Sequence, residues 1–257
     1  MKCRIGILNG HCSYMQTNDI VIPLNACGSY HDNLELRYTL RSISESLINY
    51  RKIIIVCDRP PGWLRNVQVV KHAELHHKAV TLANKWLAGA NYSNADNIVL
   101  WSDDQVLLKP INVLGIPILR DGLKQMSDYN MDIPWHEILR NTAKVLKLHG
   151  KTAFNCECHT PRLLNRKKFT ALLDLFKEEI NYGRGIVASS LYFNYFSYPM
   201  QDMNLYKASF ESKTAVLDMT NGIIGDKIFL GYNDYGFESG INEYLKSRFS
   251  HKSKYEV

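Results

Sequence analysis

Two adjacent acidic residues, Asp103 and Asp104, are the part of this sequence whose types and spacing point most directly to chemistry. They follow an apolar segment at 97–100 that is typical of a buried strand, and apolar residues return at 106–108. Neighbouring carboxylates repel each other. Mg²⁺ and Mn²⁺ prefer carboxylate oxygens and commonly share their coordination with substrate phosphates. The pair therefore predicts a metal and phosphate site, with a solvated turn after a strand as the competing interpretation.

The segments before the acid pair alternate between strand and helix patterns. Strands are predicted at 19–24, 52–58, 67–70 and 97–100. A helix is predicted from about Asn33, because apolar residues recur at helical spacing at Leu36, Leu40, Ile43 and Leu47. A second helix is predicted at 77–88.

This order of elements predicts a doubly wound α/β sheet. In such sheets the ligand site lies beyond the carboxyl ends of the strands. Leu24, Asp58 and the acid pair all lie at such ends, so we expect them to share one edge of the sheet.

The second half of the chain is less regular. It contains an insertion at 111–150 with a helix through Leu148, an amphipathic helix at 166–180, and an aromatic-rich stretch at 185–198. That stretch is interpreted as core or as one wall of an acceptor pocket. We find no repeats, low-complexity tracts or clear linker, which predicts a single domain with a regular half to about residue 110 and an elaborated half at 111–257.

Composition and charge bound the possible functions. The 257 residues carry a net charge of +6 with a pI near 8.9, which favours polyanionic partners such as nucleotides, nucleic acid and acidic glycans. The sequence has no bilayer-spanning apolar run and no signal-peptide core, so we expect a soluble cytoplasmic protein. The six cysteines show no disulfide pattern, and Cys156-Glu157-Cys158-His159 lacks the second half of a structural zinc site.

Several segments, in order over most of the chain outside 111–150, resemble the Stealth-type, GT-A-like glycosyltransferase group. They are 19–24, 33–43, 53–58 with 63–64, 102–108, 159–161 before a basic helix, and 229–234 with 248–249 and 253–256. Where Stealth phosphotransferases carry a Trp-Val-Asp-Gly type of element after the first strand, this chain has PLNACGS at 23–29. The sequence therefore looks closer to phage and bacterial GT-A-like glycosyltransferases.

The resemblance implies a GT-A-like doubly wound mixed sheet, with a nucleotide-sugar-binding half at about 1–110 and an acceptor-side half at about 111–257. Asp104 and Asp103 would anchor a divalent metal, Mn²⁺ or Mg²⁺, on the donor diphosphate, and His159 would complete its coordination or bind the diphosphate. Asp104 and Asp234 are the catalytic candidates, with Asp234 as a base or acceptor-side carboxylate. The alternative for Asp234 is an Asx turn opening a helix that begins near Ser239.

The remaining candidates would bind the nucleotide sugar, and they are Leu24, Gly28, Arg37, Arg41, Asp58, Lys78 and Asp103. Guanidinium groups match phosphate oxygens bidentately, whereas an exposed helix face with an ion pair between Arg41 and Glu45 is the alternative. Asp58 would contact the base or ribose, or else cap a turn. Gly28 would let the loop backbone approach the nucleotide closely.

The resulting hypothesis is a metal-dependent transfer of a sugar from a nucleotide donor, a uridine diphosphate sugar, to a hydroxyl acceptor. The acceptor would be a hydroxymethylated or glycosylated base in phage DNA, or a cell-surface glycan precursor. One alternative is a Stealth-like hexose-1-phosphate transferase acting on a glycan. Another is a non-catalytic nucleic-acid-binding module that uses basic residues of the C-terminal segment, namely Lys246, Arg248, Lys252 and Lys254.

Overall fold

A computed structural model describes residues 17–25, 32–210 and 222–257. Gly28 lies outside the described residues, so its predicted place beside the nucleotide stays a prediction. Within the described part the cysteines Cys57, Cys156 and Cys158 are free and buried. No helix in this part is both long and apolar enough to span a bilayer.

The strands are β1 (Asn18–Pro23), β2 (Leu47–Ile48), β3 (Lys52–Cys57), β4 (Gln68–Lys71), β5 (Asn97–Leu100), β6 (Gln105–Leu107), β7 (Ile111–Asn112), β8 (Leu119–Arg120), β9 (Arg162–Asn165), β10 (Gln201–Asp202), β11 (Lys207–Phe210) and β12 (Phe229–Tyr232). The central sheet has the order β4-β3-β1-β5-β9. Its first four strands are parallel, and β9 runs antiparallel to β5. A smaller sheet has the order β11-β12-β6.

The helices are α1 (Leu34–Ser46), α2 (Lys78–Tyr92), α3 (Pro134–Leu148), α4 (Arg166–Leu175), α5 (Lys177–Asn181), α6 (Ala188–Tyr195), α7 (Asp234–Gly236) and α8 (Asn242–Arg248). A π-helical turn, Phe237–Ile241, joins α7 to α8. Short 3₁₀ turns lie at Val113–Gly115, Met126–Asp128 and Met203–Leu205.

Alternating residues of β1 and β3 fill two separate cores, because successive side chains of a strand point to opposite faces. One face packs against α1, in a cluster that includes Ile20, Ile22, Ile53, Ile55, Leu36, Leu40 and Ile43. The other packs against α2, in a cluster that includes Val21, Ile54, Val56, Ala83, Trp86 and Ala90. Gly89 lets α2 approach closely, since a Cβ there would lie 2.3 Å from Val21 Cγ1. The α/β prediction is confirmed, with helices on both faces of a mixed sheet.

Most predicted elements of the first half are confirmed to within a few residues: the four strands, the helix after Asn33 and the helix before β5. The prediction of one continuous helix at 166–180 is wrong, because the helix is interrupted at Phe176, between α4 and α5. The predicted apolar side of the segment is buried. The aromatic-rich stretch at 185–198 forms α6, whose Tyr192 and Phe193 belong to the core.

Candidate functional site

The acid pair occupies the turn between β5 and β6, at the carboxyl end of a fully buried strand of the central sheet. The indole of Trp101 donates from Nε1 to the carbonyl of Gln105 at 2.9 Å. The hydroxyl of Thr39 on α1 lies 2.8 Å from the carbonyl oxygen of Asp103 and 2.9 Å from that of Gln105. Side chains from the strand and from α1 therefore hold both sides of the turn.

His159, a predicted metal ligand, lies beside Asp104. Its Nδ1 is 3.3 Å from Asp104 Oδ2. The other oxygen of this carboxylate, Oδ1, is buried and has no hydrogen-bond partner among the described residues. His159 also has a left-handed backbone with φ 47, an uncommon conformation that concentrates at functional sites.

The two acids of the pair differ in their electrostatics. Desolvation, followed by the charge of Asp104, raises the pKa of Asp103 to about 7. Desolvation also acts against ionisation of Asp104, but the hydrogen bond to His159 and the charge of that imidazole outweigh it and lower the pKa of Asp104. The positive charge of Lys78, the first residue of α2, favours ionisation of both acids. The predicted donor ligand Lys78 therefore lies within electrostatic reach of the pair.

Glu35 is a fourth acidic residue of this site, and the sequence reasoning missed it. It is only 8% exposed in the first turn of α1. Burial, and then the charges of Asp103, Asp104 and Asp234, raise its pKa to about 8. A pattern did exist in the sequence, because a helix that follows a parallel strand begins at the carboxyl edge of the sheet. Glu35 is an acid in that first turn.

The segment at 232–234 reaches the same acids, because β12 pairs antiparallel with β6, the strand that follows them. Tyr232 is 2% exposed, and in the described part of the chain its hydroxyl has no hydrogen-bond partner. Desolvation, followed by the charges of Glu35, Asp104 and Asp103, raises its pKa well above the usual value. Tyr232 is a second residue that the sequence did not predict.

Asp234 is exposed at the start of α7, and its charge contributes to the raised pKa values of Glu35 and Asp103. The predicted helix start near Ser239 is wrong, because helical structure begins at Asp234. The neighbouring Asn233 provides the cap, with its Oδ1 accepting from the backbone N–H of Gly236 at 3.0 Å. Asp234 therefore does not cap the helix, and it lies within electrostatic reach of the other acids, so it stays a candidate base.

Arg37 and Arg41 are bound elsewhere. Arg41 donates from Nε and Nη2 to the two carboxylate oxygens of Glu256, at 2.9 and 2.7 Å, and Arg37 Nη1 lies 3.4 Å from the same carboxylate. The alternative prediction, an ion pair between Arg41 and Glu45, is wrong, because Arg41 binds Glu256 and Glu45 lies 3.4 Å from Arg248. The diphosphate role of both arginines stays a prediction without support from their contacts.

The other donor candidates lie at the predicted edge of the sheet. Asp58 is exposed directly after β3, with its Oδ2 3.7 Å from Arg59 Nε. Leu24 is buried, and its carbonyl accepts from the buried Lys85 Nζ at 2.7 Å. Glu74 is the second partner of Lys85. The Leu24 carbonyl is thus bound by Lys85, and the nucleotide-binding role of Leu24 stays a prediction.

Several of these groups suit a hard divalent cation. Burial, and then repulsion between the acids, raise the pKa values of Asp103 and Glu35. A bound cation would relieve that repulsion and would give the unpartnered Oδ1 of Asp104 a partner. Within the described ranges, no three His, Cys, Asp or Glu residues are grouped closely enough to hold a metal by themselves. Mg²⁺ is usually bound by one or two carboxylates together with substrate phosphates, so Asp104 and a neighbour fit that mode.

Comparison of the sequence with protein-family models and with curated proteins finds no match in either set.

Proposed function

We propose that this protein is a metal-dependent, GT-A-like glycosyltransferase that moves a sugar from a nucleotide-sugar donor, a uridine diphosphate sugar, to a hydroxyl acceptor. The observation that carries the proposal is the convergence of Asp103, Asp104, His159, Glu35 and Asp234 beyond the carboxyl end of β5. In open α/β sheets this edge is where ligands bind.

The sheet order supports the GT-A-like part of the proposal. The four parallel strands have helices on both faces, the acid pair follows β5, and the antiparallel β9 lies on the far side of β5. The strand after the acids, β6, leaves this sheet and joins the smaller one with β11 and β12. The acids therefore lie where a regular nucleotide-binding half meets the elaborated half.

Asp104, assisted by Asp103 and His159, would hold a Mn²⁺ or Mg²⁺ ion, which stabilises the negative charge that develops on a diphosphate leaving group. Lys78 adds a cationic side chain within electrostatic reach of the pair. Asp234 is exposed at the same edge, so its carboxylate is accessible to take the proton from an acceptor hydroxyl. Glu35 and Tyr232 are buried within electrostatic reach of these acids.

Thermal unfolding with a panel of sugar nucleotides, with and without Mn²⁺, tests the proposal on the wild type and Asp104→Asn. A donor at about 100 times its Kd stabilises the protein by about 2.7 kcal/mol. For a domain of this size each kcal/mol raises Tm by about 2–4 °C. We expect a metal-dependent rise with one nucleotide and its loss in Asp104→Asn.

The control is Asp174→Asn, which removes an exposed carboxylate of α4 and should keep the full shift. A wild type that no sugar nucleotide stabilises contradicts the proposal. Product analysis then separates the two transferase reactions. Glycosyl transfer releases a nucleoside diphosphate, whereas hexose-1-phosphate transfer releases a nucleoside monophosphate and forms a phosphodiester. Hydroxymethylated DNA and glycans are the acceptors to compare.

A further inference from the structure

The basic residues near the C-terminus make contacts within the chain. Lys252 donates from Nζ to the carbonyl of Val257 at 2.9 Å, and Arg248 lies 3.4 Å from Glu45. Lys254 lies over the ring of Tyr255. A nucleic-acid-binding surface built on these residues would have to compete with these contacts.

A different set of cations lines an open cleft of about 410 Å³ on α3, within the insertion at 111–150. The described residues that line it are Ser127, Arg140, Ala143, Lys144, Lys147 and Leu148. Three of these six carry a positive charge and none is acidic. Arg140, Lys144 and Lys147 are spaced i, i+4 and i+7, so they share one face of the helix.

Two of the three cations are held in place by the surrounding structure. Arg140 donates from Nη1 to the carbonyls of Tyr129 and Met131, at 2.8 and 3.2 Å. Lys147 donates from Nζ to Ser127 Oγ at 2.9 Å. Lys144 lies between them and is exposed. A cleft whose cations are already positioned loses less side-chain entropy when it binds an anion.

The acids nearest in sequence to this cleft already have partners. Glu137, one turn before Arg140, pairs with Arg184 at 2.8 Å. Asp128, next to Ser127, accepts from the backbone N–H of Gln125 at 3.0 Å through Oδ2 and from Ser127 Oγ at 3.4 Å through Oδ1, so its negative charge lies beside the cleft. Three cations against this one carboxylate still leave the cleft with a net positive charge.

We propose that this cleft binds the phosphodiester backbone of a nucleic acid. Arg140 and Lys147 are seven residues apart, which corresponds to about 10 Å along a helix that rises about 1.5 Å per residue. Each strand of duplex DNA carries one phosphate per base along its backbone, so a line of three cations of this length can face a short run of consecutive phosphates. Ala143 and the exposed Leu148 supply apolar surface beside it. The site is separate from the proposed donor site and does not depend on it.

The test is the salt dependence of binding to a fluorescent DNA duplex, measured by anisotropy from about 50 to 200 mM salt. The variant is Lys144→Ala with Lys147→Ala, because alanine preserves the helix. We expect about tenfold weaker binding or more at about 100 mM salt. Each lost phosphate contact should reduce the slope of log K against log salt by about 1. The control, Lys246→Ala with Lys177→Ala, removes two lysines exposed on α8 and α5.

Equal affinity in the wild type and the α3 variant overturns the proposal, and so does an equal loss in the control. Binding of a sulfated glycan that depends on Lys144 and Lys147, without any binding of DNA, overturns it in favour of a glycan partner. Asp104→Asn should bind DNA as the wild type does, and the α3 variant should keep any nucleotide-sugar shift. These two arms keep a failure of the donor site distinct from a failure of the cleft.

Discussion

Two regions of helix α1 place buried carboxylates in opposite environments. Glu35 in the first turn faces other acids, and burial together with those acids raises its pKa to about 8. Glu256 is bound by Arg41 and Arg37 from later turns. Desolvation acts against its charge, but the hydrogen bonds from Arg41 and Ser253 outweigh it and lower its pKa.

The difference separates a structural charge from a candidate functional one. The Glu256 side chain is fully buried, and both of its oxygens are satisfied by guanidinium and backbone donors. Asp103, Asp104 and Glu35 lie close enough for their charges to repel one another, and one buried oxygen of Asp104 has no hydrogen-bond partner among the described residues. His159 and Lys78 offset only part of this repulsion, which is expected where a ligand or cation supplies the missing charge.

Replacing the structural carboxylate should have the largest effect on stability. Glu256→Ala leaves Arg41 without its buried partner, and breaking such a pair costs about 3–5 kcal/mol. Urea unfolding measures the loss. Glu45→Ala is the matched control, because its pair with Arg248 is partly exposed and should contribute less than about 1 kcal/mol. Similar losses in the two variants would contradict the structural role of Glu256.

The two groups should also respond to pH in opposite directions. Glu35 and Asp103 have raised pKa values, about 8 and about 7, so the folded state retains protons that the unfolded state releases above about pH 4–5. The free energy of unfolding without metal should therefore fall as pH rises from 5 to 8, by at most about 1.4 kcal/mol per pH unit for each carboxyl. The contribution of Glu256, whose pKa is lowered, is instead lost as pH falls below about 4.5.

Urea unfolding at pH 5, 6.5 and 8 checks this on the wild type and Glu35→Gln. The variant should flatten the fall, whereas Glu178→Gln, at an exposed position of α5, should leave it unchanged. An equally steep fall in Glu35→Gln would show that Glu35 does not titrate in this range.

The smallest expected effect on stability concerns the link between α1 and the acid turn. Thr39→Val removes the hydroxyl that lies beside the carbonyls of Asp103 and Gln105, and an unsatisfied buried group costs about 1–3 kcal/mol. Thr142→Val is the control, because Thr142 is equally buried and its hydroxyl makes comparable contacts with Ile138 and Val187. Both variants should lose similar stability in urea unfolding. Only Thr39→Val should weaken the metal-dependent nucleotide shift, and an equal shift in the two would contradict a positioning role.

Sequence patterns predicted the strands and helices around the site better than the residues that form it. The acid pair could be placed at the end of β5 because a buried strand is a local apolar run and the residues after it must lie at the sheet edge. Tyr232 could not be assigned, because a single aromatic residue in a strand fits an ordinary core position. The place of Glu35 in the first turn of α1 put it at the sheet edge, but its burial beside the other acids could not be read from the sequence. Their identity as site residues depends on what lies opposite them.

What the sequence by itself determined is therefore the order of strands and helices, the α/β class and the position of Asp103 and Asp104, all of which follow from local periodicity. Only the tertiary structure decided which charges pair. Arg41 finds its partner in Glu256, 215 residues away, whereas the sequence had predicted that it binds the donor diphosphate. Local spacing carries no information on such a contact, because it forms only when packing brings distant segments together.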